Sequence, residues 1–300
     1  MDVLTLKHLS KSFGSHRVIR DLSIEVPEHC IFGFIGENGA GKTTTMKMIL
    51  GLYAADSGEI KVCGEAVTYG QNRTNKYIGY LPDVPEFYGY MTPKEYLKLC
   101  GEITGMAREK LDNRIAEMLE LVGLESANKR IRGFSRGMKQ RLGIAQALLN
   151  EPKILICDEP TSALDPIGRK EILDILVSVK DRTTVIFSTH ILSDVERICD
   201  KIALLHEGSI ALQGSLEEIR KMRKGLGFEI EFRTALEAES FRALYGADEG
   251  GSDTLLVYPG RNEKQMADAM KLLYSNNIYP LKLEMKEPTL ESLFMEVVSK

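Results

Sequence analysis

Several features that would place this chain in a familiar class are missing from it. Its five cysteines, Cys30, Cys63, Cys100, Cys157 and Cys199, are widely scattered, and no two stand at C-x-x-C spacing. That pattern argues against a zinc site and a disulfide framework, and for reduced thiols in the cytosol. No apolar run approaches the roughly 20 residues that span a bilayer. Met1 to Lys11 has no apolar core of signal-peptide length. Any membrane role must therefore pass through a partner. A basic excess is lacking too: 39 lysines and arginines stand against 43 acidic residues, a net charge of −4. This counts against a dedicated nucleic-acid binder. There is no internal repeat and no low-complexity tract. What remains is a chain of 300 residues, 43% hydrophobic and 27% charged. That is a globular composition, long enough for one large domain or two modest ones.

Val3 to Leu9 and Ser23 to Val26 read as strands, and the short apolar run Cys30 to Ile35 predicts a buried one. Thr43 to Leu52 carries Met46, Ile49 and Leu50 on one side, which predicts a helix stopped by Gly51. From about Pro93 to Asn150 the spacing is helical, over Pro93 to Ile103, Arg108 to Val122 and Ser135 to Leu149, the last with Ser135 as N-cap. Ile154 to Cys157 and Thr184 to Ser188 are β-branched apolar runs that predict buried parallel strands. Strands alternating with helices indicate an α/β sheet interrupted by a mostly helical insertion. After Gly214 the composition shifts. Arg220 to Lys224 is basic and is followed by Gly225 and Gly227, which predicts a linker. The last ~75 residues then begin a second pattern. Phe228, Ile230 and Phe232 alternate with Glu229, Glu231 and Arg233. A helix (Leu236 to Tyr245), a strand (Thr254 to Tyr258), a helix (Asn262 to Tyr274), a strand (Leu281 to Met285) and a last helix (Thr289 to Val298) complete a small α/β appendage.

The strongest chemical signal is Gly36-Glu37-Asn38-Gly39-Ala40-Gly41-Lys42-Thr43, which fits G-x-x-x-x-G-K-S/T between a predicted strand and a predicted helix. Glycines let the backbone curl so that successive N–H groups point at phosphate oxygens. The following helix N-terminus adds partial positive charge. Lys42 supplies a full charge for the outer phosphates, and Thr43 a hydroxyl for Mg²⁺. Thr44 belongs to the same ATP-binding set. The second signal is Ile154-Leu155-Ile156-Cys157-Asp158-Glu159. An apolar strand ending in two acids places both at the carboxyl edge of the sheet, where open α/β folds bind ligands. Asp158 can hold Mg²⁺, directly or through water, and Glu159 can act as general base on a water. The expected cofactors are therefore ATP and Mg²⁺.

The third signal is Phe134-Ser135-Arg136-Gly137-Met138, ahead of Asp158 and after the helical insertion. Here the chain resembles the nucleotide-binding subunit of an ATP-binding cassette (ABC) transporter, in the bacitracin-type exporter group. The family's signature there is usually leucine-serine-glycine-glycine-glutamine; Arg136 replaces a glycine and Met138 the glutamine. The resemblance implies a P-loop NTPase core with a helical subdomain and a small C-terminal α/β domain. Residues 1–219 would be the ATPase domain, about 84–150 its helical subdomain, and 225–300 the accessory domain. It also implies that Ser135, Arg136, Gly137 and Met138 face the γ-phosphate bound by a second copy. Ser162-Ala163-Leu164-Asp165 would be the loop linking two half-sites, with Asp165 in it. His190 would be the switch histidine at the γ-phosphate, and Phe13 the aromatic on which adenine stacks.

At Gly79-Tyr80-Leu81-Pro82-Asp83 the family usually has a glutamine where this chain has Asp83, a carboxylate that can still ligate Mg²⁺. Val84 to Tyr90 is rich in aromatic residues and expected to be exposed, where the family receives a helix of its membrane subunit. The implied partners are integral-membrane permease subunits and a second copy of the chain or a paralogous ATPase subunit, with no nucleic acid. The implied location is the cytoplasmic face of the membrane, peripheral. The implied role is to power an exporter of peptide antibiotics, drugs or polysaccharides. The alternative is a soluble ABC ATPase acting on nucleic acid or ribosomes. The resemblance covers Asp2 to Gly214. In the tail it rests on Glu287-Pro288-Thr289-Leu290-Glu291 and the strand pattern.

Overall fold

The computed structural model describes residues 2–71, 73–222, 227–248, 251–286, 290, 291 and 294. Alternation of apolar and polar residues produces a long hairpin, β1 (Asp2–Phe13) and β2 (His16–Pro27). The next strand, β3 (Ile31–Gly36), is buried along its whole length and belongs to a different sheet. It feeds α1 (Lys42–Ile49), after which β4 (Ser57–Val62) and β5 (Glu65–Ala66) return to the hairpin in the order β2-β1-β4-β5. This antiparallel layer is longer than the short strands read from the sequence, because irregular registers along β1 carry the pairing past its polar stretches.

β6 (Ile78–Leu81) precedes the helical insertion of α2 (Pro93–Ile103), α3 (Arg108–Leu121) and α4 (Arg136–Leu148). Local chemistry fixes where α2 and α4 start. Thr92 forms a capping box with Glu95 ahead of Pro93, and Ser135 Oγ accepts from the Met138 N–H at 3.3 Å. The chain then alternates: β7 (Ile154–Asp158), α5 (Pro166–Val179), β8 (Thr184–Thr189), α6 (Leu192–Ile198), β9 (Lys201–His206), β10 (Ser209–Ser215) and α7 (Leu216–Met222). Among the described residues these strands form a six-stranded sheet, β10-β9-β3-β8-β7-β6, parallel except for β10.

One face of this sheet packs with α1 against the antiparallel layer. Leu4, Leu6, Leu22 and Ile24 meet Phe32, Phe34, Met46 and Ile156 there. Side chains alternate along β3, so Gly33 points the other way. A Cβ there would lie 2.8 Å from Cys199 Sγ and 3.3 Å from Val195, so α6 packs close against the strand. Burial pushes the thiols of Cys157 and Cys199 well above the ordinary range, as expected of inert core cysteines.

By contact density the chain divides into two compact units, Met1–Leu216 and Glu217–Lys300. The second carries β11 (Phe228–Glu231), α8 (Ala235–Tyr245), β12 (Leu255–Tyr258), α9 (Glu263–Ser275) and β13 (Lys282–Met285). Its strands pair antiparallel in the order β12-β11-β13. Phe228, Ile230 and Phe232 point inward onto Phe241, Tyr258 and Leu273, as their alternation requires. Most of the expected helix from Thr289 to Val298, and of the Glu287 to Glu291 segment, lies outside the described residues.

β6 meets α4 at Gly79, where an added Cβ would collide with the Ala147 carbonyl oxygen and lie 2.8 Å from its carbon. Backbone cannot yield as a side-chain tip can, so Gly79→Ala should cost about 1–3 kcal/mol. The melting temperature should fall by ~2–4 °C per kcal/mol. Calorimetry of the purified variant checks this, and an unchanged melting temperature would refute the flush contact.

Candidate functional site

The phosphate loop grows out of the end of β3. Gly36 sits so tightly that a Cβ there would lie 2.6 Å from the Leu205 carbonyl oxygen. Gly39 and Gly41 take φ of +87° and +109°, a region L side chains resist. At Gly41 an added Cβ would also strike Ile19 Cδ1. Gly41 is the N-cap of α1 and offers no side-chain cap, so the first-turn N–H groups stay aimed along the helix axis into the loop. Lys42 is buried, and its ammonium donates to the carbonyls of Gly36 at 2.7 Å and Glu37 at 3.1 Å. It also pairs with Glu159 Oε1 at 3.1 Å.

Parallel pairing brings the other chemistry to the same edge. Ile35 is level with Thr189, Asp158 with Ser188, and Leu81 with Cys157. The buried Ser188 hydroxyl donates to Asp158 Oδ1 at 2.6 Å and accepts from the Glu159 N–H at 3.0 Å. Glu159 has φ of +48°, unusual for a residue with a side chain and costing about 1–3 kcal/mol. This turn leaves its carboxylate between Lys42 and His190, whose Nδ1 lies 2.8 Å from Oε2. A carboxylate only accepts, so Nδ1 carries the proton and Nε2 is the histidine's other face. Tyr80, beside β7, has its phenol pushed up to about 12 by burial, with the charge of Asp158 adding. A cavity of about 250 Å³ is lined by Gly39, Lys42, Thr43, Asp83, Asp158 and Glu159.

Comparison with known proteins gives the family of the chain. The ABC transporter family matches residues 19–162. The bacitracin transport ATP-binding protein BcrA of Bacillus licheniformis is 37% identical over 99% of this chain and 97% of its own. The uncharacterized ABC transporter ATP-binding protein YxlF of Bacillus subtilis (strain 168) is 44% identical over 78% of each. This chain belongs to the ABC transporter ATP-binding proteins. It is an ATPase. Among solved structures, an ATP-binding subunit of an ABC transporter has a TM-score of 0.67 at 33% identity, over 73% of this chain and 92% of that one. CbiO1 from Clostridium perfringens, described as part of the ABC transporter complex cbiONQ, has a TM-score of 0.68 at 26% identity, over 73% of this chain and 90% of that one.

The remaining positions singled out from this ABC protein's sequence fall in distinct places. Glu37, Asn38 and Ala40 complete the loop, where the Ala40 N–H donates to the Glu37 carbonyl at 3.2 Å; Thr44 lies beside Thr43 on the cavity wall. Phe13 is 46% exposed, its ring in a T-shaped contact with Tyr53 at 5.5 Å and the Lys11 ammonium 5.2 Å from its centroid. Ser135, Gly137 and Met138 form the exposed to half-exposed start of α4 and do not line the cavity. Arg136 instead turns to its own chain and pairs with Asp83 at 3.3 Å. Asp165 caps α5, its Oδ1 accepting from the Gly168 N–H at 3.1 Å. In the segment Val84 to Tyr90, Val84, Tyr88 and Tyr90 are exposed, while Phe87 packs edge-on against Tyr96 at 5.1 Å.

Thr43, Asp158 and Asp83 offer hard oxygens around one cavity, and among the described residues no group of three His, Cys, Asp or Glu side chains is placed to hold a metal. That donor set suits Mg²⁺, which is held by one or two carboxylates and completed by phosphate oxygens and water.

Two features escaped sequence reading. Ser188 passed as the end of a strand; its signal was a small hydroxyl residue directly after the apolar run Val185 to Phe187 in a fully buried strand. The second is Asp194, buried, which accepts from Thr161 Oγ1 at 2.7 Å and pairs with Arg169 at 2.6 Å. It ties the loop before Asp165 to the helix after His190. Ser188→Ala removes the donor from a buried carboxylate, a loss of about 1–3 kcal/mol, and lets Glu159 shift, which should lower kcat about tenfold. Thermal melts and ATPase assays test both parts; wild-type kcat would rule out Ser188 as the group that positions Glu159.

Proposed function

We propose that this chain is the ATP-driven subunit of an ABC exporter, and that Glu159 is its general base. The observation that carries the reading is the Glu159 carboxylate, set between Lys42 and His190 at the mouth of the phosphate cavity. The loop from Gly36 to Thr44 wraps the phosphates with N–H groups, and Lys42 leaves its pairing with Glu159 to meet the outer phosphate oxygens. Phe13 stacks on adenine. Thr43, Asp158 and Asp83 would hold Mg²⁺, which supplies neutralisation of phosphate charge. Glu159 then takes a proton from water; the water oxygen bonds to the γ-phosphorus as the bond to the bridging oxygen breaks, leaving ADP and phosphate. His190, anchored through Nδ1, offers Nε2 to the γ-phosphate.

One chain holds only half of such a site. Ser135, Gly137 and Met138, with the dipole of α4 behind them, complete the site of a second copy or a paralogue, and Asp165 lies in the loop that joins the two. Closure of this head-to-tail pair on ATP would pull on permease subunits that dock at the exposed Tyr88 and Tyr90, on the cytoplasmic face of the membrane. Residues 1–219 form the ATPase domain, with about 84–150 as its helical subdomain, and 225–300 the accessory domain. Similarity to a bacitracin transport protein over nearly the whole chain, the C-terminal unit included, supports export rather than another ABC task.

Glu159→Gln should lower turnover at least about 100-fold while ATP still drives dimerisation, read by phosphate release and size-exclusion chromatography. Turnover at the wild-type rate sinks the base assignment. Lys42→Ala removes the charge that meets the phosphates, and ATP affinity should fall about 100-fold or more. Equilibrium dialysis measures this, and undiminished affinity contradicts the loop reading.

A further inference from the structure

Two charged residues singled out from the sequence, Arg136 and Asp83, are in contact with each other. Arg136 opens α4 and Asp83 follows β6. Arg136 Nη2 lies 3.3 Å from Asp83 Oδ1. One turn further along the same face of α4, the buried Gln140 donates from Nε2 to the Asp83 carbonyl at 2.7 Å. Residue 83 is thus held twice by α4: firmly through its backbone by a buried amide, loosely through its carboxylate by a guanidinium. Asp83 also lines the phosphate cavity with Thr43, Asp158 and Glu159.

The energetics of the two grips differ in kind. Both side chains of the ion pair are roughly half exposed, at 44% and 47%. A pair so wetted is weak and exchanges readily. A guanidinium in the first turn of a helix is also opposed by the helix dipole, so Arg136 is better placed against an anion than in water. Asp83 is one such anion. A phosphate group is a stronger one, because it matches the guanidinium fork with two parallel charge-assisted hydrogen bonds. The start of α4 is exposed, so a phosphate presented from outside the chain can reach it.

We propose that Asp83 and Arg136 form an exchangeable latch, in which Asp83 holds Arg136 against its own chain until the phosphates carried by a second copy compete for it. This rests on the head-to-tail dimer reading above. Arg136 is then a phosphate ligand in trans, and Asp83 sets how readily it is released. The pair raises the ATP level at which two copies close.

The test uses the full-length chain carrying Glu159→Gln, with dimer fraction followed by sedimentation velocity across an ATP titration. Asp83→Asn keeps the shape and a hard oxygen that can still face the metal, and removes the charge that holds Arg136, so half-dimerisation should occur at about fivefold lower ATP, the size of one exposed charge pair. Arg136→Gly should raise it about tenfold, as loss of one charge-assisted contact does. The double variant should match Arg136→Gly alone, because without the guanidinium there is nothing for Asp83 to hold. If Asp83→Asn shifts the midpoint equally with and without Arg136, Asp83 acts through the metal or the water and the latch is overturned. It is equally overturned if Arg136→Gly leaves the midpoint in place. A Glu159→Gln parent that stays monomeric at saturating ATP overturns the head-to-tail reading instead, and the latch with it.

Discussion

Everything at this site depends on the register of three neighbouring parallel strands. Because β3, β8 and β7 run the same way and end level, the residues that leave them emerge side by side. Gly36 starts the phosphate loop, Thr189 is followed by His190, and Asp158 by Glu159. Since side-chain direction alternates along a strand, a slip of one residue in β7 would turn Asp158 to the other face of the sheet. Ser188 locks the register at its functional end, because one hydroxyl satisfies both the Asp158 carboxylate and the Glu159 N–H. A hydrogen bond between buried groups costs little to form and much to lose, so the serine fixes alignment more than it adds stability.

The second constraint is charge in a small space. Lys42, Glu159 and Asp158 are all largely or fully buried, and burying charge is expensive unless each group is paired. The chain resolves this by giving each an opposing group: two carbonyls and a carboxylate for Lys42, the lysine and a histidine for Glu159, a serine for Asp158. These are arrangements that a triphosphate and its metal can take over one for one. An anion offers Lys42 the same charge as Glu159 does, and with Lys42 so engaged the carboxylate keeps its histidine. The left-handed backbone at Glu159 fits this account, since strain persists where surrounding contacts over-determine it.

Much of this was legible in the sequence, and what was not has physical reasons. The loop from Gly36 to Thr43 could be read because each residue type there answers a backbone or charge requirement of phosphate binding. The start of α4 could be read because Ser135 announces it locally as an N-cap. Strand lengths in the antiparallel layer could not, because β4 and β5 are short and largely exposed and owe their pairing to β1 rather than to their own pattern. β9 and β10 went unread for a related reason, since their boundary is set by a turn at Glu207 and Gly208, both with positive φ. The contact between Asp83 and Arg136 was out of reach: the residues are 53 positions apart, and only the packing of α4 on β6 brings them together. Local chemistry is written in local sequence; partnerships across the fold are not.

The C-terminal unit follows the same rule at a larger scale. The family match ends at residue 162, and the solved relatives cover 73% of the chain, yet BcrA is similar over 99% of it. This unit has a core of its own, in which Phe228, Phe241, Tyr245 and Tyr258 pack ring against ring at 5.0 to 6.2 Å. Aromatic pairs of this kind add about 0.5–1.5 kcal/mol each beyond their buried area, which matters for a sheet of only three described strands. On the opposite sheet face Glu229 is nearly buried and is paired with Lys286 at 2.8 Å. A face built from paired charges is suited to water or to a polar partner rather than to an apolar one. The strand register at the carboxyl edge of the parallel sheet lies wholly within the first unit. That is why similarity to a transport protein across the C-terminal unit bears on the task of the subunit, while similarity in the first unit bears on its chemistry.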